Sequence, residues 1–284
     1  MGMKNEFDVK TDLSLVLLEE DFTAEEVADA IGISRRTVFN ILSGSVQTSN
    51  DSLEKIYSFI YKDGYRLNKL KEDFYKDSGK LVLFHGAKEK IEEVSNNGSR
   101  NNCDFGPAFY LGESYYQASN FVCEYDEASI YTFFFEKDDL KIKEFKCELD
   151  WMIAVCYYRG TIDEYANHPK VVKIIKEIED SDVVIAPIAD NKMFQVMQLF
   201  ADGEITSEQA YHSLSSSTLG KQYVLRTDKA IGKLKQINRL YLCKEEKEDC
   251  LTKVLEHAQR IEDELNEAKR KYRREGLYID ELFK

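Results

Sequence analysis

The residues of this chain that could do chemistry fall in four short stretches: LVLFHGA (81–87), DFGPAFYLGESYYQASNF (104–121), SDVVIAPIAD (181–190) and LGKQYVLRT (219–227). The first ends in His85-Gly86. An imidazole changes charge near neutrality, and a glycine lets the backbone approach a partner closely. The second stretch holds a glycine-bearing turn at Gly106, then Phe109 and Tyr110, then Phe121 eleven residues beyond Tyr110. Such rings offer flat apolar faces. Asp104, Glu113 and Asp190 are carboxylates within these stretches, able to serve as acid, base or charge stabiliser. Gln222 stands near the start of the last stretch, and its amide donates and accepts hydrogen bonds without carrying charge. Taken singly, each has a plainer reading. His85 reads as a turn residue, and Tyr110, Tyr115, Tyr116 and Phe121 as core aromatics of a strand–helix unit. Asp190 reads as the start of a turn after a buried strand, and Gln222 as a polar residue at a sheet edge. Only their joint order and spacing lift the set above those readings.

The elements that must position these residues are legible in outline. Leu81–Phe84 predicts a strand, Phe109–Leu111 a second, and a helix follows from about Ser114. VVIAPIA predicts a buried strand, and a β-rich strand begins at Gln222. Residues 80–243 therefore read as a mixed α+β unit. Residues 1–79 read as a bundle of short helices, and 244–275 as one charged helix with a tail to 284. The first boundary falls at Lys76–Lys80, where a helix ends at Gly79. A length of 284 residues is near the point where a single core stops growing, so more than one domain is expected.

Composition excludes several classes. The net charge of −13 argues against a protein that coats phosphates or anionic membranes. Three prolines leave no room for long Pro-rich linkers. The longest apolar run, Trp151–Tyr158, is too short to span a bilayer. The first twenty residues carry scattered charges and no apolar stretch of the secretory kind. The six cysteines show neither a C-x-x-C pair nor a zinc spacing, so reduced thiols in a cytoplasmic protein and no metal site are expected. His168, His212 and His257 read as surface residues, with His168-Pro169 in a loop ahead of a helix from Lys170 to Ile178.

Together the four stretches resemble the ADP-ribosyltransferases of the diphtheria-toxin and poly(ADP-ribose)-polymerase type. Their signature is a His-Gly ending one strand, a Tyr after a glycine-rich turn, and a Glu opening a later strand. Here these are His85-Gly86, Gly106-Pro107-Ala108-Phe109-Tyr110, and Gln222-Tyr223-Val224 in place of Glu-Tyr-[Ile/Val]. The resemblance covers about residues 80–243 and is nearest to a bacterial toxin-like branch carrying HG, DFG-x-GFY, APIAD and QYV blocks. It implies a split-sheet α+β fold, with NAD as substrate. His85 would bind the adenosine ribose, and the Gly86 backbone would pair with the nicotinamide amide. Tyr110 and Phe121 would hold the nicotinamide ring, with Phe109, Asp104 and Gly106 lining the site. Gln222 would orient a ribose hydroxyl. An amide supplies neither charge nor base, and losing such a stabiliser costs on the order of a hundredfold in rate. Either the acid comes from elsewhere, with Asp104, Glu113 and Asp190 as the candidates by position, or the acceptor needs no base.

In residues 1–79, Thr23 caps a helix with acidic residues in its first turn, which Gly32 ends. Ser34 caps a second helix, Arg35–Leu42, which Gly44 ends. This resembles the helix-turn-helix of the phage-repressor type, running through EEVADAIGISRRTVFNILSGS and on to SLEKIYSFIY. The resemblance places Ser34, Arg35, Arg36 and Asn40 on a helix entering the major groove, so DNA is an expected partner through residues 23–44. Acidic residues outnumber basic ones 15 to 10 over residues 1–79, which leaves a dimerisation or docking module open beside it. In the charged helix, Leu251, Val254, Ala258, Ile261, Leu265, Ala268 and Tyr272 step by three and four. That spacing suits either a coiled-coil homodimer or a helix packed back on its own chain. The fold class expected is thus an all-α helix-turn-helix bundle, a split-sheet α+β domain and a long C-terminal helix. The expected function is NAD-dependent mono-ADP-ribosyl transfer by a toxin-like or defence effector, acting on a protein or nucleic-acid acceptor. Relatives of this kind lie beside small antitoxin-like genes, which adds an antitoxin protein to the expected partners. A DNA-binding regulator that senses NAD or a nucleotide without turnover is the alternative, and hydrolysis of NAD with water as acceptor a third reading.

Overall fold

The computed structural model describes residues 3–215 and 219–284. Five helices open the chain: α1 (Val9–Glu19), α2 (Ala24–Ile31), α3 (Arg35–Ser43), α4 (Asn50–Lys62) and α5 (Leu67–Lys76). A mixed α+β region follows, with β1 (Val82–Ala87), β2 (Phe109–Gly112), α6 (Tyr115–Asn120), β3 (Ser129–Phe135) and β4 (Ile142–Glu144). It continues through α7 (Leu149–Tyr158), α8 (Pro169–Glu179), β5 (Val183–Pro187), α9 (Asn191–Ala201) and α10 (Ser207–Ser215). Then come β6 (Lys221–Leu225), α11 (Asp228–Ile231), β7 (Leu234–Tyr241), α12 (Lys244–Lys271) and α13 (Ile279–Leu282). Among the described residues, no helix is long and apolar enough to cross a membrane.

The strands form one mixed sheet in the order β4-β5-β6-β2-β1-β3-β7. It is two half-sheets joined at a single point. β1 pairs with β3 over Val82–Ala87, and β2 with β6 over Phe109–Gly112, but β1 meets β2 only at Phe84↔Gly112. The two central strands therefore part on either side of that pair. Alternation along β1 sends Leu83 to one face, with Phe109, Leu111 and Phe133, and Val82 and Phe84 to the other, with Ala118 and Val122 beside α6. On the β5–β6 half, Val184, Ala186 and Val224 pack against α7, α8 and α9. The apolar run Trp151–Tyr158 is most of α7, and its Trp151–Cys156 portion is buried there.

The turn chemistry of α2 and α3 matches their sequence. Thr23 and Glu26 form a reciprocal capping box, and Ser34 accepts from the Thr37 N–H. Gly32 and Gly44 end the two helices at φ +67° and +69°, the left-handed region that glycine enters most cheaply. Val27, Ala28, Val38 and Ile41 are buried with Leu13 of α1 and Ile56 and Ile60 of α4. The bundle does not stand apart. Cys243 lies in its core, Tyr57 stacks on Tyr241 at 4.9 Å, and Tyr61 donates to Asp249 at 2.7 Å. The segment before α1 runs along β7, with Lys4 and Gln236 exchanging two hydrogen bonds.

Of the two readings of the charged helix, the structure shows packing against its own chain. Ile261, Leu265 and Ala268 are buried, the first two in the core beneath α9 and α10. The residues after it fold as well. Ile279 of α13 is buried, and Phe283 packs on Tyr165 with ring centroids 4.7 Å apart.

Candidate functional site

A cleft of about 670 Å³ opens where β1 and β2 part, lined by His85, Gly86, Asp104, Tyr110, Arg159 and Gln222 among others. Antiparallel pairing explains why the β1 edge is available. Leu81 accepts from Phe135, so the bonded pairs toward β3 fall at alternate residues from Leu81. Phe84 and Gly86 then turn their N–H and C=O the other way. Phe84 meets Gly112 across the junction, and the ladder stops there. Gly86, two residues on, presents one backbone donor and one acceptor to the cleft. It is also the point of closest approach to α6, because a Cβ at Gly86 would lie 2.2 Å from the carbonyl oxygen of Ala118. Glycine is therefore required by helix packing.

His85 is half-buried and stacks on Phe109 with centroids 4.3 Å apart. Its Nδ1 lies 2.7 Å from the Tyr110 carbonyl oxygen, which can only accept, so Nδ1 carries the proton. Burial lowers the imidazole pKa, against the smaller opposing effect of that bond. The ring is thus a neutral tautomer with Nε2 left as an acceptor. Tyr110 is tied into the preceding turn: its hydroxyl donates to the Gly106 carbonyl at 2.7 Å and accepts from the Phe105 N–H at 3.1 Å. Burial raises its phenol well above the usual value. Gly106 holds that turn at φ +71°. Phe121 is 53% exposed at the cleft, whereas Phe109 is spent largely on His85 and the core.

The floor of the cleft is a buried polar network. Gln222 Nε2 donates to Asp104 Oδ2 at 2.9 Å and to the Pro187 carbonyl at 3.0 Å. Asp104 Oδ1 accepts from Arg159 Nε at 3.0 Å and Nη2 at 2.5 Å. Arg159 Nη2 also reaches the Ala189 carbonyl at 3.1 Å, and its guanidinium lies 4.2 Å from the Phe194 ring. Of the three candidate carboxylates, this brings one to Gln222. Glu113 accepts from the Lys221 N–H at 3.2 Å. Asp190 caps α9 through the Met193 N–H and pairs with His257 Nδ1 at 3.1 Å. Reading His257 as a surface residue is thereby corrected, since it is buried between α12 and the start of α9. The long polar face of α12 hid this. Arg159 was not singled out in the sequence. The signal was a lone cation straight after the most apolar helix of the chain, where a charge needs a partner.

At α3, the Ser34 and Arg35 side chains have partners within the bundle. The Ser34 hydroxyl caps its own helix, and Arg35 pairs with Glu25 at 2.8 Å while lying over Phe39. Arg36 is exposed, and Asn40 is half-buried, with its backbone carbonyl accepting from the Ser43 and Ser45 hydroxyls. These residues lie on one short helix, away from the cleft lining.

The fold and the cleft define an α+β protein with a polar, hydrogen-bonded site at a parting in its sheet. Residues 81–236, more than half of the chain, match the family described as protein of unknown function (DUF3990), and the chain belongs to that family. No curated protein and no solved structure matches it.

Proposed function

We propose that the chain cleaves NAD at the nicotinamide–ribose bond and transfers ADP-ribose to a macromolecular acceptor, as a toxin-like or defence effector. The observation that carries this is the convergence at one cleft of the His85 Nε2 acceptor, the Gly86 backbone pair and the Asp104–Gln222 network. A volume of about 670 Å³ lies within the range of small-molecule sites. The Gly86 N–H and C=O suit a carboxamide, which needs one donor and one acceptor, and Nε2 suits a sugar hydroxyl. Tyr110 and Phe121 offer rings for a flat heterocycle. In the reaction, the bond from ribose C1′ to the pyridinium nitrogen breaks and its electron pair leaves with neutral nicotinamide. A lone pair of the acceptor bonds to C1′, and the acceptor's proton passes to solvent.

The test is release of nicotinamide from labelled NAD, with and without cell lysate. Release that depends on lysate and is lost in His85→Ala and Tyr110→Ala supports transfer, and the labelled fraction separates protein from nucleic acid. Release without lysate points to water or the chain itself as acceptor. Release surviving both substitutions removes the site assignment.

A second reading, a DNA-binding regulator that senses NAD or a nucleotide, is favoured by the neutral amide of Gln222 and by the capped α2–α3 turn with exposed Arg36. Arg35→Ala with Arg36→Ala should then remove a salt-sensitive shift of upstream DNA. No shift at low salt would count against it.

A further inference from the structure

We infer that Asp104 and Gln222 together replace a single catalytic carboxylate, with Asp104 carrying the charge and Gln222 Oε1 presenting it to the cleft. This rests on the NAD-cleaving reading above. A primary amide has two N–H donors, and both of those on Gln222 are engaged, by Asp104 Oδ2 at 2.9 Å and the Pro187 carbonyl at 3.0 Å. The opposite orientation would press Oε1 against a carboxylate and a carbonyl with no hydrogen between them. The partners therefore dictate which way the amide lies, and Oε1 is the acceptor that Gln222 has to offer.

Asp104 is buried, 6% exposed, and is held from behind by the Arg159 fork on Oδ1. The ion pair is thus a dipole whose negative end, Oδ2, is turned to Gln222. Donation to a carboxylate polarises the amide and increases the negative charge on Oε1, an effect strengthened where water is excluded. A positive charge developing on a bound ribose would meet that oxygen, with the carboxylate behind it. Arg159 is a positioning residue, since its hydrogen bonds aim Asp104 and anchor the Ala189 loop.

The arrangement predicts an unusual substitution pattern. Putting a true carboxylate at position 222 should harm the site, because two carboxylates within hydrogen-bond distance cannot both ionise. The experiment measures nicotinamide release at saturating NAD, NAD binding by calorimetry, and the pH profile of release. It compares the full chain with Asp104→Asn, Gln222→Glu, the double variant and Gln222→Met. Asp104→Asn is expected to lower release about a hundredfold while NAD binding is largely kept. Gln222→Glu is expected to lower release and add a new titration to the pH profile. The double variant, with the charge moved to position 222, should recover about tenfold over Asp104→Asn. Gln222→Met leaves the Asp104–Arg159 pair in place, and loss of release there tests the relay even where Asp104→Asn fails to fold. Asp104→Asn or Gln222→Met releasing at the wild-type rate would overturn the inference, as would Gln222→Glu outpacing wild type. A wild-type chain that releases no nicotinamide would instead overturn the NAD-cleaving reading on which it stands.

Discussion

The cleft and the α3 surface use their polar side chains differently. Around α3, the residues that stand out in the sequence are those that build the turn from α2 into α3. Ala28 and Val38 are buried, Gly32 adopts positive φ, and Ser34 spends its hydroxyl on the Thr37 N–H. They would be needed whatever the exposed face contacted. In the cleft, His85, Asp104, Tyr110 and Gln222 each have one side held by the protein and all line the same open volume. Residues of the first kind define a backbone, whereas tethered side chains facing one cavity mark a candidate site.

His85→Ala should lower nicotinamide release a hundredfold or more with the fold retained, as read by circular dichroism and release assays. On the bundle side, Ile41→Ala removes a fully buried side chain and should cost about 3 kcal/mol in denaturant unfolding. Arg36→Ala, on the exposed face of the same helix, should shift stability by less than about 0.5 kcal/mol. Equal losses from the two changes would contradict the division between scaffold and surface.

Glu246 joins the helical bundle to the α+β region, and its titration gives a further test. It lies on α12, accepts from Asn68 of α5 at 3.0 Å, and is bonded by the Tyr115 hydroxyl of α6. Burial pushes its carboxyl up to about 7 from an ordinary 4.5, against the opposing pull of those hydrogen bonds. The folded state therefore binds its proton more tightly than the unfolded chain does. Its contribution is fully present below about pH 4.5 and is lost as pH rises through about 7. Relative to Glu246→Gln, the wild type should lose on the order of 3 kcal/mol between those limits. Parallel pH–stability curves for the two proteins would reject this. A smaller effect is expected from Tyr110→Phe, which removes the hydroxyl bonded to Gly106 and Phe105. The cost should be about 1 kcal/mol, with NAD binding weakened only as far as the 104–110 turn loosens.

Much of the fold could be read locally. The bounds of α2 and α3 agree with their caps, since Thr23, Gly32, Ser34 and Gly44 act through hydrogen bonds and φ angles within a few residues. β2 and β6 lie where β-forming runs suggested, with β6 beginning one residue before Gln222. The partnership of Gln222 with Asp104 spans 118 positions, and that of Asp104 with Arg159 spans 55. No local preference encodes either. The burial of His257 is not legible locally for the same reason, because its partner Asp190 is 67 residues away.

The local frame is written in the chain itself: which segments are helix or strand, where glycine must end them, and which residue types stand at strand ends. These follow from short-range sterics and hydrogen bonding. Packing of the folded chain sets which carboxylate reaches Gln222, why Gly86 tolerates no side chain, and that α12 buries Ile261, Leu265 and Ala268 in its own chain. Those outcomes come from packing between segments far apart in sequence, where shape and the need to satisfy buried polar groups choose among partners that composition leaves equivalent.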